Sequence, residues 1–355
     1  MSQTVDDQRS RFRGCLLGGA VGDALGAPVE FMRLTQIRES FGEAGIRDFA
    51  EAYGRVGSIT DDTQMTLFTA EGLLRADNQR IVHGTSDPVA SVHKAYLRWL
   101  FTQGQTSEHA DFQLPRDGEL ITLRSLHSLR APGRTCISAL CSDRMGTKDQ
   151  PLNNSKGCGG VMRIAPVGLA GEDPFELGCQ VAAITHGHPS GYWAAGFQAM
   201  ILSAIVSGVT LQQALSAGMS VLKKHPNHEE TLKAVEGAIK AAGSLPATPE
   251  SVETLGEGWV AEEALAIAIF CALTARDFES GVILAANHTG DTDSTGAITG
   301  NLLGLVHGED QIPERLLNRL ELRNEIALIA DDLWAHFALP DFRPSEEDLI
   351  RYPPQ

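Results

Sequence analysis

Two short segments of this chain each place hydroxyl groups beside a pair of carboxylates. One reads Ser58-Ile59-Thr60-Asp61-Asp62-Thr63, the other Gly290-Asp291-Thr292-Asp293-Ser294-Thr295. Each runs into a stretch with helical spacing of apolar residues. Taken singly, each is a helix start, with Thr60 as an N-cap and acids facing the positive end of the helix dipole. Taken together they ask for more, because two such clusters brought into contact would repel unless cations lay between them. Carboxylate and hydroxyl oxygens are hard donors that suit Mg²⁺ or Mn²⁺ rather than Zn²⁺, and no Cys/His ligand set competes with them. A pair of cations held this way orients a substrate and activates a water.

Three further segments carry chemistry. Gly14 to Phe31 is a Gly-rich apolar helix containing Asp23, and an acid buried there needs a partner; it serves either as an ion-pair or capping residue or within a site. Glu30 follows Pro28 at the helix exit, where a side chain turns into a cleft. Ser155-Lys156-Gly157-Cys158-Gly159-Gly160-Val161-Met162-Arg163 exposes successive backbone N–H groups that can cradle phosphate oxygens, with Lys156 or Arg163 as added charge. His186 and His188 sit in a Gly/Pro turn, where a substrate contact competes with a structural role. His225 and His228 beside Glu229 and Glu230 read as a polar helix start and not as a metal site.

The elements that must position these groups are helical. Apolar residues recur at i, i+3 and i+4 over 11–27, 63–76, 89–102, 176–185, 191–206, 210–222, 229–242, 261–274, 278–286, 294–306, 312–319 and 323–337. Only Ile46–Phe49 invites a strand. Gly14, Gly18, Gly22 and Gly26 recur at i+4, and so do Gly296, Gly300 and Gly304. Each costs roughly 1 kcal/mol relative to Ala inside a helix, so the stripes predict close helix packing. Residues 104–160 are irregular, as functional loops often are. No composition break divides the chain, which predicts an all-α fold: one multi-helix domain over 11–340, flanked by an extension (1–10) and a tail (341–355).

Composition excludes several classes. The net charge of −16 argues against nucleic acid, whose phosphates need clustered Lys and Arg. The longest apolar run, Ala264–Leu273, is too short to span a membrane. Residues 9–22 imitate a signal peptide but lead straight into Asp23, and read as mature protein. The six cysteines form no CxxC pair, as expected of thiols in a reducing cytoplasm.

In this order, from about Arg11 to about Trp334, these segments resemble the ADP-ribosylglycohydrolase family, the enzymes related to dinitrogenase reductase-activating glycohydrolase. The resemblance implies an all-α fold with a binuclear Mg²⁺ cleft. It implies Thr60, Asp61, Asp62, Asp291, Asp293 and Ser294 as metal ligands; Ser294 stands where the family often has Thr. It further implies a pyrophosphate loop at Ser155–Gly160 (Ser155, Gly157, Gly159, Gly160), a ribose contact at His186 and a substrate contact or gate at Glu30. Asp62 or Asp293 is then expected to take the proton from water. The expected activity is removal of ADP-ribose from modified protein by cleaving its N-glycosidic bond to arginine. Two alternatives stand beside it: hydrolysis of O-linked ADP-ribose (on serine, or as O-acetyl-ADP-ribose), and an immunity protein that blocks an ADP-ribosyltransferase or toxin by contact.

Overall fold

A computed structural model describes residues 5–113 and 116–355. Four helices come first: α1 (Val5–Gly26), α2 (Leu34–Phe41), α3 (Asp61–His83) and α4 (Pro88–Thr102). A two-residue hairpin, β1 (Glu51–Ala52) with β2 (Arg55–Val56), lies before α3. Among the described residues the irregular stretch holds short turns and α5 (Arg134–Leu140). The second half continues with α6 (Ala165–Leu169), α7 (Pro174–Ala183), α8 (Pro189–Val206), α9 (Leu211–Leu222), α10 (Glu229–Ala242) and α11 (Pro249–Glu253). It closes with α12 (Ala261–Thr274), α13 (Phe278–Ala285), α14 (Thr292–His307), α15 (Glu314–Leu317), α16 (Arg323–Ala338) and α17 (Glu346–Arg351). The fold is all-α, as the spacing predicts.

The glycine stripes pack against each other. A methyl group at Gly22 would lie 1.9 Å from the carbonyl oxygen of Gly296, one at Gly300 2.0 Å from that of Gly18, and one at Gly304 1.8 Å from that of Gly14. Helices α1 and α14 therefore run antiparallel with their backbones in contact, and the Asn301 amide donates to the carbonyl of Cys15 (2.9 Å). This register sets the N-terminus of α14, with Asp291 and Asp293, beside the end of α1 and Glu30. Arg9 and Arg13 of α1 both pair with Asp331 of α16.

Helix α3 is fastened at both ends. Asp23 of α1 accepts from the Thr60 amide (3.0 Å), the Thr63 amide (3.2 Å) and the Thr63 hydroxyl (2.5 Å). The buried acid of the first Gly-rich helix is thus a capping partner. Toward the other end, buried Arg75 pairs with Glu71 and Asp117, and the Asn78 amide donates to the carbonyl of Tyr352 (2.9 Å). The segment 341–355 accordingly docks on the domain through α17 and the buried Tyr352, and residues 5–10 continue α1.

Ile46–Phe49 forms no strand. The Asn287 side chain accepts from the Ile46 amide and donates to its carbonyl, both at 2.8 Å, doing the work of a neighbouring strand. The true strands follow at β1 and β2. Helices α2, α5, α6, α11 and α17, each of eight residues or fewer, lie outside the expected helical stretches, since one or two turns carry little periodic signal.

Gly22→Ala should destabilise the protein by about 3 kcal/mol or more, since backbone on both sides leaves nothing to yield. Gly237→Ala, in α10 with nothing within 4 Å of the added methyl, should instead stabilise it by up to about 1 kcal/mol. Thermal unfolding of the two variants reads both signs.

Candidate metal centre and substrate cleft

The N-termini of α3 and α14 open onto one cleft of about 580 Å³. Glu30, Asp61, Asp62, Asp291, Asp293 and Ser294 line one side of it. Gly157, Cys158, Gly159 and His186 line it next to them, and residues 131–136 with Phe31 and Trp259 complete the wall. The two acidic clusters, 229 residues or more apart in sequence, do meet: the Ser294 hydroxyl donates to Asp62 Oδ1 across the gap (3.3 Å).

All four aspartates are at least nine-tenths buried, and no Lys or Arg among the described residues pairs with any of them. Burial, then the charge of Asp293, pushes Asp61 and Asp62 well above the usual carboxylate range. The same two causes raise Asp23 to about 7, and burial with Asp293 and Asp291 raises Glu30 to about 11. The partners present are few. Asp61 accepts from the Gly133 amide (3.3 Å), and Asp291 from the Cys158 thiol (2.8 Å) and, as the N-cap of α14, the Ser294 amide (3.4 Å). Asp62 Oδ2 and Glu30 Oε2 are buried with no hydrogen-bond partner among the described residues. Buried, unpaired oxygens aimed into a carboxylate cluster fit a hard divalent cation. Glu30, Asp291 and Asp293 each offer an oxygen within 4.8 Å of the others. Thr60 is fully buried at the cap, its hydroxyl accepting from the Asp62 amide (3.3 Å).

Glu30 reaches this cluster through a strained turn. Phe31 adopts φ +66°, a left-handed conformation uncommon outside glycine, and its exposed ring stacks on Trp259 at 5.4 Å. The Gly-rich segment faces the carboxylates, held by the Cys158 amide donating to the Trp259 carbonyl (3.2 Å) and the Ala261 amide to that of Lys156 (2.8 Å). Gly157 and Gly159 lie at the cleft. Ser155 stands behind them, bonded to Thr135 (3.0 Å), and Gly160 is buried against Ala182 and Gly191.

The two cations expected to add charge to this loop do not reach the cleft. Lys156 is drawn away by Glu230 and Glu262. Arg163 is enclosed under Tyr96, where its guanidinium donates to Thr185 (2.7 Å). Thr185 in turn bonds His186 Nδ1 at 2.9 Å. A guanidinium only donates, so it favours turning the Thr185 proton onto Nδ1 and leaving Nε2–H toward the cleft. Burial, then Arg163, lowers His186 to about 3, so the ring is neutral. His188 caps α8, accepting from the Ser190 amide (3.1 Å), and His225 stacks on Phe175 and packs tilted against Trp193.

Arg134, Thr135, Phe31 and Trp259 are cleft residues that periodicity and motif spacing do not single out. Arg134 and Thr135 had one signal, the Pro132-Gly133 break in the irregular stretch. For the aromatic pair, 228 positions apart, there was none.

The sequence profile of ADP-ribosylglycohydrolase matches residues 4–341, and the chain belongs to that family. Its relatives include the ADP-ribosyl-[dinitrogen reductase] glycohydrolase of Rhodospirillum rubrum (27% identical, covering 89% of this chain and 92% of the relative). The ADP-ribosylarginine hydrolase Tri1 of Pseudomonas putida is 23% identical (93% and 80%), and the ADP-ribosylhydrolase ARH3 of Bos taurus 26% (91% and 92%). A solved structure titled "ADP-ribosylglycohydrolase-related protein complex" superposes with a TM-score of 0.65 at 28% identity, covering 93% of this chain and 98% of that one. The protein is a hydrolase of the ADP-ribosyl class.

A methyl group at Gly159 would press on Cys136 Sγ (2.8 Å) and the His186 ring (2.9 Å). Gly159→Ala should therefore weaken ADP-ribose binding, measured calorimetrically, by about tenfold or more. Wild-type affinity should show no step near pH 6.5 attributable to His186. Thr185→Val should lower affinity while Thr185→Ser retains it.

Proposed function

We propose that this protein is a Mg²⁺-dependent hydrolase of arginine-linked ADP-ribose on proteins, with a two-cation centre formed by Thr60, Asp61, Asp62, Asp291, Asp293 and Ser294. The observation that carries the reading is the convergence of two buried carboxylate pairs with no basic side chain between them among the described residues. Mg²⁺ bound there, or Mn²⁺ in its place, supplies an electrophile for the ribose hydroxyls and lowers the pKa of an attacking water.

The chain's own groups divide the remaining work. The Gly157 and Cys158 amides are spent on Ser155 Oγ (3.3 Å) and the Trp259 carbonyl (3.2 Å), so the Gly159 backbone and the Arg134 guanidinium hold the pyrophosphate against an unfavourable global charge, and this remote contact supplies binding energy. His186 Nε2–H donates to the ribose. Asp62 or Asp293 accepts the proton of the water as its oxygen bonds to the anomeric carbon. The C–N bond breaks and its electron pair leaves with the guanidinium, which departs as neutral guanidine. Such a group needs little help from a general acid, whereas a serine alkoxide would need one. Outside the four aspartates, Glu30 is the acid in the cleft. The exposed Phe31–Trp259 stack beside it offers the flat face a guanidinium favours, which supports the arginine linkage.

Activity toward ADP-ribosyl-arginine and ADP-ribosyl-serine peptides tests this directly, with serine preference overturning it. Asp61→Ala or Asp293→Ala should abolish turnover with the fold intact; near-normal activity after chelation and dialysis would remove the cation centre from the mechanism. Glu30→Gln should slow arginine release by about tenfold or less and affect any serine activity more. A further outcome follows from the raised carboxylates. A folded-state pKa above the unfolded value lowers stability as pH rises through that window. Mg²⁺ should relieve this, so its effect on the melting temperature should be larger at about pH 8 than at about pH 6, on either side of Asp23's value near 7.

A further inference from the structure

A second group of metal-ligating side chains lies outside the cleft. His93 is on α4, and His109 and Asp111 lie at the start of the short turn Ala110–Gln113, where the irregular stretch folds back over that helix. One ligand atom from each lies within 4.8 Å of the other two. The imidazoles meet edge to face with centroids 4.6 Å apart, and Asp111 Oδ2 is 3.9 Å from His109 Nδ1. His93 is only 3% exposed, yet its ring makes no hydrogen bond among the described residues. This imidazole faces a second imidazole and a carboxylate, and neither of its nitrogens is engaged by a protein group among the described residues, which leaves both available to a ligand. Burial, then His109, lowers it to about 3, so its lone pair is free at neutral pH.

We propose that His93, His109 and Asp111 form a binding site for a divalent transition-metal ion of the zinc type, distinct from the oxygen-lined cleft. Two imidazoles and one carboxylate suit zinc, and a water completes four-coordination. Ligands on one tetrahedral ion with bonds of about 2.0–2.1 Å lie roughly 3.3 Å apart, within reach of small side-chain rotations from the separations here. One bond is exchanged: His109 Nδ1 now accepts from the Asp111 amide (3.1 Å) and would turn that lone pair to the ion. The same segment is tied to α5, whose N-terminus lines the cleft. The Ser107 hydroxyl donates to the Leu140 carbonyl (2.5 Å) and the Glu108 amide to that of Cys141 (3.0 Å). The ion would clasp α4 to the platform behind residues 133–136.

The test is zinc titration of the full-length protein in saturating Mg²⁺, which occupies the oxygen donors, followed by calorimetry and metal analysis. Wild type should take up one zinc that His109→Ala and Asp111→Asn each weaken by at least about tenfold. Both residues are partly exposed, so both variants should fold. Cobalt substituted for zinc should give a tetrahedral visible spectrum that disappears in His109→Ala. Zinc uptake by His109→Ala equal to wild type, or no uptake by wild type under saturating Mg²⁺, overturns the site. Neither result depends on which ADP-ribosyl linkage the cleft hydrolyses.

Discussion

The backbone contact between α1 and α14 is the constraint on which the rest of the molecule depends. Side chains normally separate helix axes by 8–10 Å. Glycines on both partners let carbonyl oxygens lie where methyl groups would stand. The helices lose about 1 kcal/mol of intrinsic stability at each such position and gain close dispersion contact along several turns. They also gain a fixed register, because neither helix can slide or rotate without driving a bulkier neighbour into the seam. Everything at the open end of the pair inherits that register: Glu30 leaving α1, Asp291 and Asp293 entering α14, and Asp23, which carries it across to the amides of Thr60 and Thr63.

The acidic centre is then built from helix starts, with no neutralising side chain among the described residues. Dipoles of α3 and α14 and a few amides offset part of the charge, and an ordinary ion pair would have filled the place where cations and substrate oxygens are to sit. Buried carboxylates held unpaired are unfavourable in the metal-free fold. They are tolerated because α3 is anchored elsewhere, by Asp23 at one end and by the Arg75 and Asn78 contacts toward the other. Rigidity supplied by these contacts lets the site itself remain electrostatically unsatisfied.

Much of this was legible in the sequence. Helical periodicity gave the long helices, the glycine spacing predicted a packed seam, and the paired hydroxyl–carboxylate clusters pointed to one another. What escaped was set by contacts without local signature. The Asn287 side chain replaces a strand partner for Ile46. Lys156 and Arg163 looked available to phosphate, yet carboxylates on α10 and α12 draw one away and Tyr96 with Thr185 encloses the other. Phe31 and Trp259 meet only because a left-handed turn and the segment before α12 converge. His93 and His109 carry no spacing that marks them as neighbours.

The seam also imposes an order in time. Asn301 bonds a carbonyl 286 residues earlier in the chain, so α1 emerges from the ribosome long before its partner exists. At about 5–20 residues per second, tens of seconds pass in which a Gly-striped apolar helix has no surface to rest on. Contacts of such separation carry a large loop-closure entropy and form late. The acidic centre, whose halves ride on the two sides of the seam, is therefore among the last features to assemble, and a nascent chain cannot hydrolyse anything until nearly all of it has been made.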